Sequence, residues 1–272
     1  MKKGLSWFNL TSVAFGLAFL YLPIVILIIY SFNDSRLVTV WGGWSLRWYG
    51  NLLHDQPFID AAWITVRIGA VSATIATVLG TLAAIVLVRM GRFPGRMAFS
   101  AMVYAPLVMP EIIIGLSLLL FFVALGVDRG FWTITLAHVT LTMCFVAVVV
   151  QSRLVTFDRS IEEAALDLGC RPFKAFFLIT LPIIAPAVIS GWMLAFTLSL
   201  DDLVIASFTT GPGANTLPMK IYSQVRLGVT PEINAACTLM LSVVAVGVVI
   251  ASIFTRRAEA ERERAERLAA QG

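Results

Sequence analysis

Six runs of about 20 or more mostly apolar residues restrict what this chain can fold into. They lie near residues 10–32, 61–88, 97–125, 132–152, 183–208 and 232–255 of the 272. A bilayer core is about 30 Å thick, and about 20 helical residues cross it. No water is available there to pair a bare N–H or C=O, so each run has to be a helix. Composition agrees: 59% of residues are hydrophobic and 13% charged, too little charge to clothe a soluble domain of this length. The expected fold class is all-α and integral to a membrane, with six transmembrane helices in a single domain. The apolar stretch after Met1-Lys2-Lys3 resembles a signal peptide. Its length and the lack of a small-residue cleavage site make it an uncleaved first span.

Charges fall in short segments between the runs. With the N-terminus inside, 14 of the 20 Lys and Arg lie in inner segments: Lys2, Lys3, Arg89, Arg92, Arg96, Arg153, Arg159, Arg171, Lys174, Arg256, Arg257, Arg262, Arg264 and Arg267. Five lie outside (Arg36, Arg47, Arg129, Lys220, Arg226), and Arg67 sits near the start of the second run. The positive-inside rule then predicts two cytoplasmic termini. This clustering also argues against nucleic acid, which needs a basic stripe with interleaved aromatics. Cys144, Cys170 and Cys237 match neither metal-ligand spacing nor a disulfide framework, and read as small hydrophobes. In the first outer loop, Trp41, Trp44, Trp48 and Tyr49 are expected on a helix lying at the headgroup level. The Arg/Glu-alternating tail from Arg256 to Gly272 is expected to be a solvated helical extension.

The longest inner segment is RSIEEAALDLGCRPFKAFFLITLPIIAP, from Arg159 to Pro186. Ser160 and Glu163 have capping-box spacing, predicting a helix that begins just after Ser160. Gly169 suits its C-terminal stop, and Arg171-Pro172 restarts a second short helix. The expectation is two short helices bent at a glycine, a rigid knob suited to a partner's cleft.

Glu163-Ala164-Ala165, Gly169, Ile179, Leu181 and Pro182 reproduce the spacing E-A-A-x(3)-G-x(9)-I-x-L-P. This resembles the EAA loop of permease subunits of binding-protein-dependent ABC importers. The resemblance implies the type I permease fold, with residues 158–182 as a cytoplasmic coupling loop docked on an ATPase subunit. The stretches VTVWGGWSLRWYGNLL, APLVMPEIIIGLSLLLFF, SLDDLVIASFTTGPGANTLPM and VRLGVTPEINA are similar to the polyamine (putrescine and spermidine) branch, in its second permease. That likeness covers nearly the whole chain. It implies a second permease forming a heterodimer, two cytoplasmic ATPase copies, a periplasmic binding protein and a bacterial inner membrane. No Walker motif is present, so the chain is expected to be no enzyme, with ATP hydrolysed on another subunit and no cofactor or metal of its own.

An ionised carboxylate at mid-bilayer costs about 2.5–3.5 kcal/mol on insertion scales, so acids in the runs need a purpose. Glu111 follows Pro106 and Pro110, which open the helix. Asp201 and Asp202 are adjacent, so on a helix they point about 100° apart. These three are the candidates to line a pathway for a diammonium solute, with Asp201 preferred. The other aspartate then holds a neighbouring helix, caps a broken segment or lies near the outer interface. A structural acid paired with Arg67, Thr197 or Ser199 is the plainer reading. By that reasoning Asp201→Asn impairs uptake more than Ser199→Ala. His138, beside Thr140 and Thr142, is expected to be a satisfied interior histidine. Gly211-Pro212-Gly213-Ala214-Asn215 lacks the Gly-Lys-Ser/Thr of a phosphate loop and reads as a turn. Other cargo, iron or another small cation, stays open; an anion is disfavoured by the acids. An ion-coupled secondary carrier would show inverted repeats, which are not visible. An intramembrane enzyme would show a nucleophile–base pair or a metal cluster, and neither stands out.

Overall fold

Proline and aspartate decide where the apolar runs stay straight. The computed structural model describes residues 7–228 and 230–269, which are helical apart from turns and one isolated bridge between Asn33 and Trp44. Lys2 and Lys3 lie outside the described residues. The helices in order are α1 (Trp7–Tyr30), α2 (Arg47–His54), α3 (Gln56–Arg89), α4 (Arg96–Val108), α5 (Glu111–Ala124) and α6 (Phe131–Val155). Then come α7 (Ser160–Asp167), α8 (Pro172–Ala175), a π-helical turn (Phe176–Thr180), α9 (Leu181–Asp201), α10 (Val204–Thr209), α11 (Leu217–Leu227) and α12 (Pro231–Ala269). Among the described residues, five helical stretches are long and apolar enough to cross a membrane, six if the α4–α5 pair counts as one span.

Two of the expected runs are not single helices. Residues 97–125 form α4 and α5, bent by 116°. Pro110 has no N–H to give, and it forces Met109 into an extended conformation (φ −81°, ψ 137°), so the helix stops and restarts. Residues 183–208 break after Asp201, because Asp202 turns extended (φ −64°, ψ 122°) and its carboxylate caps α10 instead.

The chain divides into two units, residues 60–220 and residues 1–59 with 221–272. In the larger unit, Ala73, Ala76 and Ala84 of α3, Val146 and Val150 of α6, and Ile184 and Ala195 of α9 make one buried cluster. Small residues allow this approach, as expected where lipid offers no hydrophobic drive between helices. At Gly80 a Cβ would meet the Met143 carbonyl at 2.7 Å and Val146 Cβ at 2.8 Å. In the other unit α12 packs on α2 and α1, although α1 itself buries no residue. The aromatic loop there is a folded structure rather than a plain surface helix. Asn33 is buried, its Nδ2 donating to the Val40 carbonyl (2.8 Å) and its Oδ1 accepting from Gly42 N–H (2.7 Å). Trp48 is also buried and donates to the Asn33 carbonyl at 2.7 Å. Trp41 and Trp44 remain exposed, edge to face at 5.1 Å.

Candidate functional site

The bent surface motif forms by local rules. The Cys170 N–H bonds the Ala165 carbonyl (3.0 Å) and the Gly169 N–H bonds the Leu166 carbonyl (2.9 Å), the paired bonds of a Schellman stop. Gly169 supplies the left-handed residue (φ +84°). Arg171 is extended and Pro172 opens α8. The expected Ser160–Glu163 box does not form. Ser160 is already the first residue of α7, and Asp158 accepts its N–H at 3.0 Å because that carboxylate lies closer along the chain. The Ser160 bonds hold the Asp158 carboxyl below its usual range.

Around this bend Leu168 (89% exposed) and Phe173 (82%) stand in solvent with Glu163, Ala164 and Pro182, while Ala165, Ile179 and Leu181 are half-buried. Glu163 points out. Glu162, which the sequence reading passed over, points in. Its Oε2 accepts from Arg89 Nη1 at 2.5 Å and from the Thr180 hydroxyl at 3.1 Å. The only signal in the sequence is a second glutamate beside the motif; its partner is 73 residues away.

The second constellation surrounds the α9–α10 break. Asp202 is buried, and its two oxygens accept from the Ile205 N–H (3.3 Å), the Ala206 N–H (2.7 Å) and His138 Nε2 (3.0 Å). A carboxylate only accepts here, so the imidazole donates from Nε2; in a neutral ring, Nδ1 then accepts the Ser199 hydroxyl, 2.6 Å away. Ser72 of α3 in turn donates to Ser199 at 3.1 Å. Four elements (α3, α6, α9 and α10) are thereby joined by one polar chain, and His138 is fully satisfied. Asp202 is therefore a cap and a histidine partner, and the expected partners Arg67 and Thr197 are engaged elsewhere. Arg67 lies over the Phe131 ring at 5.3 Å, and Thr197 bonds the Met193 carbonyl. Asp201, one residue earlier, is exposed at the last turn of α9. Glu111 is exposed at the first turn of α5, on the far side of the Pro110 break. Asp201 lies close enough to Asp202 and His138 to interact with both electrostatically. Among the described residues no three His, Cys, Asp or Glu side chains are grouped to hold a metal ion.

Residues 76–262 match the family described as binding-protein-dependent transport system inner membrane component. The chain belongs to that family. As a member of these transport-system components, it is 60% identical over 255 residues to the putrescine transport system permease protein PotI of Escherichia coli K12, covering 92% of this chain and 91% of PotI. It is 43% identical over 239 residues to the spermidine/putrescine transport system permease protein PotC of the same strain, covering 88% and 90%. The fold is that of a crystallised bacterial ABC transporter involved in importing the acidic polysaccharide alginate, with TM-score 0.72 at 18% identity over 91% of this chain and 93% of that one. In this inner membrane component family the chain is a multi-pass, all-helical membrane protein, and both constellations lie inside or overlap the matched region.

Proposed function

We propose that the chain is the permease subunit of an ATP-driven importer of putrescine or a closely related polyamine, and forms half of the translocation pathway. Extended identity to a putrescine permease, 60% across 92% of the chain, carries this reading. The five long apolar stretches and the bent α4–α5 pair cross a bacterial inner membrane with both termini in the cytoplasm. A second permease completes a heterodimer, two copies of an ATPase bind from the cytoplasm, and a periplasmic protein delivers the solute.

The physical case is clearest at Asp201. A helix C-terminus carries roughly half a negative charge on its unpaired carbonyls, so α9 ends in a carboxylate beside a dipole end of the same sign. That combination favours an ammonium group, as at the broken helices of other transporters. Glu111 sits instead at the positive end of α5, where the dipole offsets part of its charge. Asp201 is accordingly the stronger contact and Glu111 the weaker, which suits a pathway that must release what it admits. Asp202 serves by holding the break open. On the cytoplasmic side, Leu168 and Phe173 flank the Gly169 bend and enter the ATPase, with Glu163 beside them. Alternating access follows, the two permeases rocking as the ATPases close.

The test is uptake of radiolabelled putrescine by proteoliposomes holding the assembled importer, with spermidine, iron and amino acids as competitors. Uptake that needs ATP and is blocked by polyamines alone supports the reading. Uptake that runs on an ion gradient without an ATPase, or that ignores polyamines, overturns it.

A further inference from the structure

We infer that Glu162 is a positioning residue that ties the bent surface motif to two spans at once, α3 through Arg89 and α9 through Thr180. This inference rests on the coupling role proposed for residues 158–182. An exposed ion pair would be worth little, because solvent screens it and both side chains stay mobile. Here the Arg89 and Glu162 side chains are only 18% and 20% exposed, and one oxygen, Oε2, takes both bonds.

The placement of the partners gives the contact its mechanical sense. Arg89 is the last residue of α3. Thr180 is fully buried and is the last residue of the π-helical turn that leads into α9. Both helices contribute to the buried cluster built around α6. The end of α3 is gripped twice more: Arg159 Nη2 donates to the Val88 carbonyl at 3.2 Å, and the Arg89 guanidinium lies 5.3 Å from the Phe157 ring. Arg89 Nη2 is already buried without a partner, so losing Glu162 takes from Nη1 the acceptor it has now and adds to that cost.

Neighbouring residues on a helix point about 100° apart, which divides the labour between the two glutamates. Glu163 faces out, toward whatever meets the motif, and Glu162 faces in, toward the spans. A push on α7 reaches α3 and α9 together because one carboxylate bonds both, with Arg159 adding a second hold on α3. The wider i→i+5 turn at residues 176–180 gives the α9 arm a place to absorb movement.

The experiment uses the complete importer in proteoliposomes and reads ATP hydrolysed per putrescine imported. With Glu162→Gln the ATPase subunit is expected to copurify still, while ATP consumed per solute rises about five-fold or more. Arg89→Glu combined with Glu162→Arg is expected to bring the ratio back toward wild type, where either change alone does not. An unchanged ratio in E162Q, or a double swap no better than the single changes, overturns the inference. If E162Q fails to accumulate, Thr180→Val removes one arm only and is expected to raise the ratio about two-fold, a loss within the range of one hydrogen bond. An unchanged ratio there overturns it too. A wild-type assembly that neither recruits an ATPase nor imports putrescine defeats the underlying reading. A working assembly in which E162Q stays coupled defeats the latch alone.

Discussion

Replacing Asp202 by asparagine withdraws the charge that two amide donors and the His138 ring share in a buried setting. We expect Asp202→Asn to cost about 1–3 kcal/mol, the range for leaving buried polar groups poorly satisfied. The measurement is the thermal midpoint and membrane yield of the purified protein, both lower than wild type. Asp201→Asn is expected to do the opposite, with yield and midpoint held and uptake reduced at least about ten-fold, from the loss of about 1.4 kcal/mol or more of charge compensation. Equal yields and equal uptake for the two variants would remove the distinction. Ser199→Ala is no silent control, because Ser199 bridges Ser72 and His138. Ser207, exposed and with its hydroxyl bonded to the nearby Val204 carbonyl, serves better.

At the scale of elements, the bend at Gly169 is a matter of backbone conformation and not of space. A Cβ there would meet nothing within 4 Å, yet φ is +84°. A β-branched residue in the left-handed region costs about 1–3 kcal/mol, enough to redirect α8. Gly169→Val is expected to leave the protein inserted while uptake falls and ATPase copurification weakens, with Gly169→Asn milder because asparagine tolerates that region. Normal uptake in the valine variant would show that the bend is not needed. Gly80 is the reverse case, an ordinary helical position with no room. Gly80→Val would drive methyl groups into the Met143 carbonyl and Val146, and overpacking of this kind costs about 1–3 kcal/mol. The expected outcome is a lower thermal midpoint, checked by fluorescence-detected unfolding; an unchanged midpoint would mean that α3 and α6 are not held at this separation.

For the whole molecule, α1 is the outstanding element: 24 residues, strongly apolar, none buried. Lipid is as apolar as leucine, so nothing in the chain obliges α1 to pack. Within the proposed heterodimer this leaves a free face for the partner permease. Coexpression of the two permeases is expected to give a complex that loses the partner when Gly16 is changed to leucine, because a Cβ there meets nothing within 4 Å and a small residue sets how closely a neighbour can approach. Retention of the partner, read by affinity pull-down in detergent, would place that contact elsewhere.

The helical class and the positions of most long apolar helices were legible in the chain because each follows from short stretches: a bilayer needs long apolar helices whatever surrounds them. The bend at Gly169 was legible for the same reason, since glycine, proline and a capping acid act within a turn or two. The 116° break at Pro110 was signalled by its prolines but not its size, which packing of α5 against α6 and α10 decides. Which aspartate is buried, that His138 is its partner, and that Glu162 rather than Glu163 grips Arg89 all depend on residues 61 to 73 positions apart meeting in space. Adjacent residues with the same side chain look alike to any local rule. Only the tertiary packing of α3, α6 and α9 gives one of each pair a partner and leaves the other free to act.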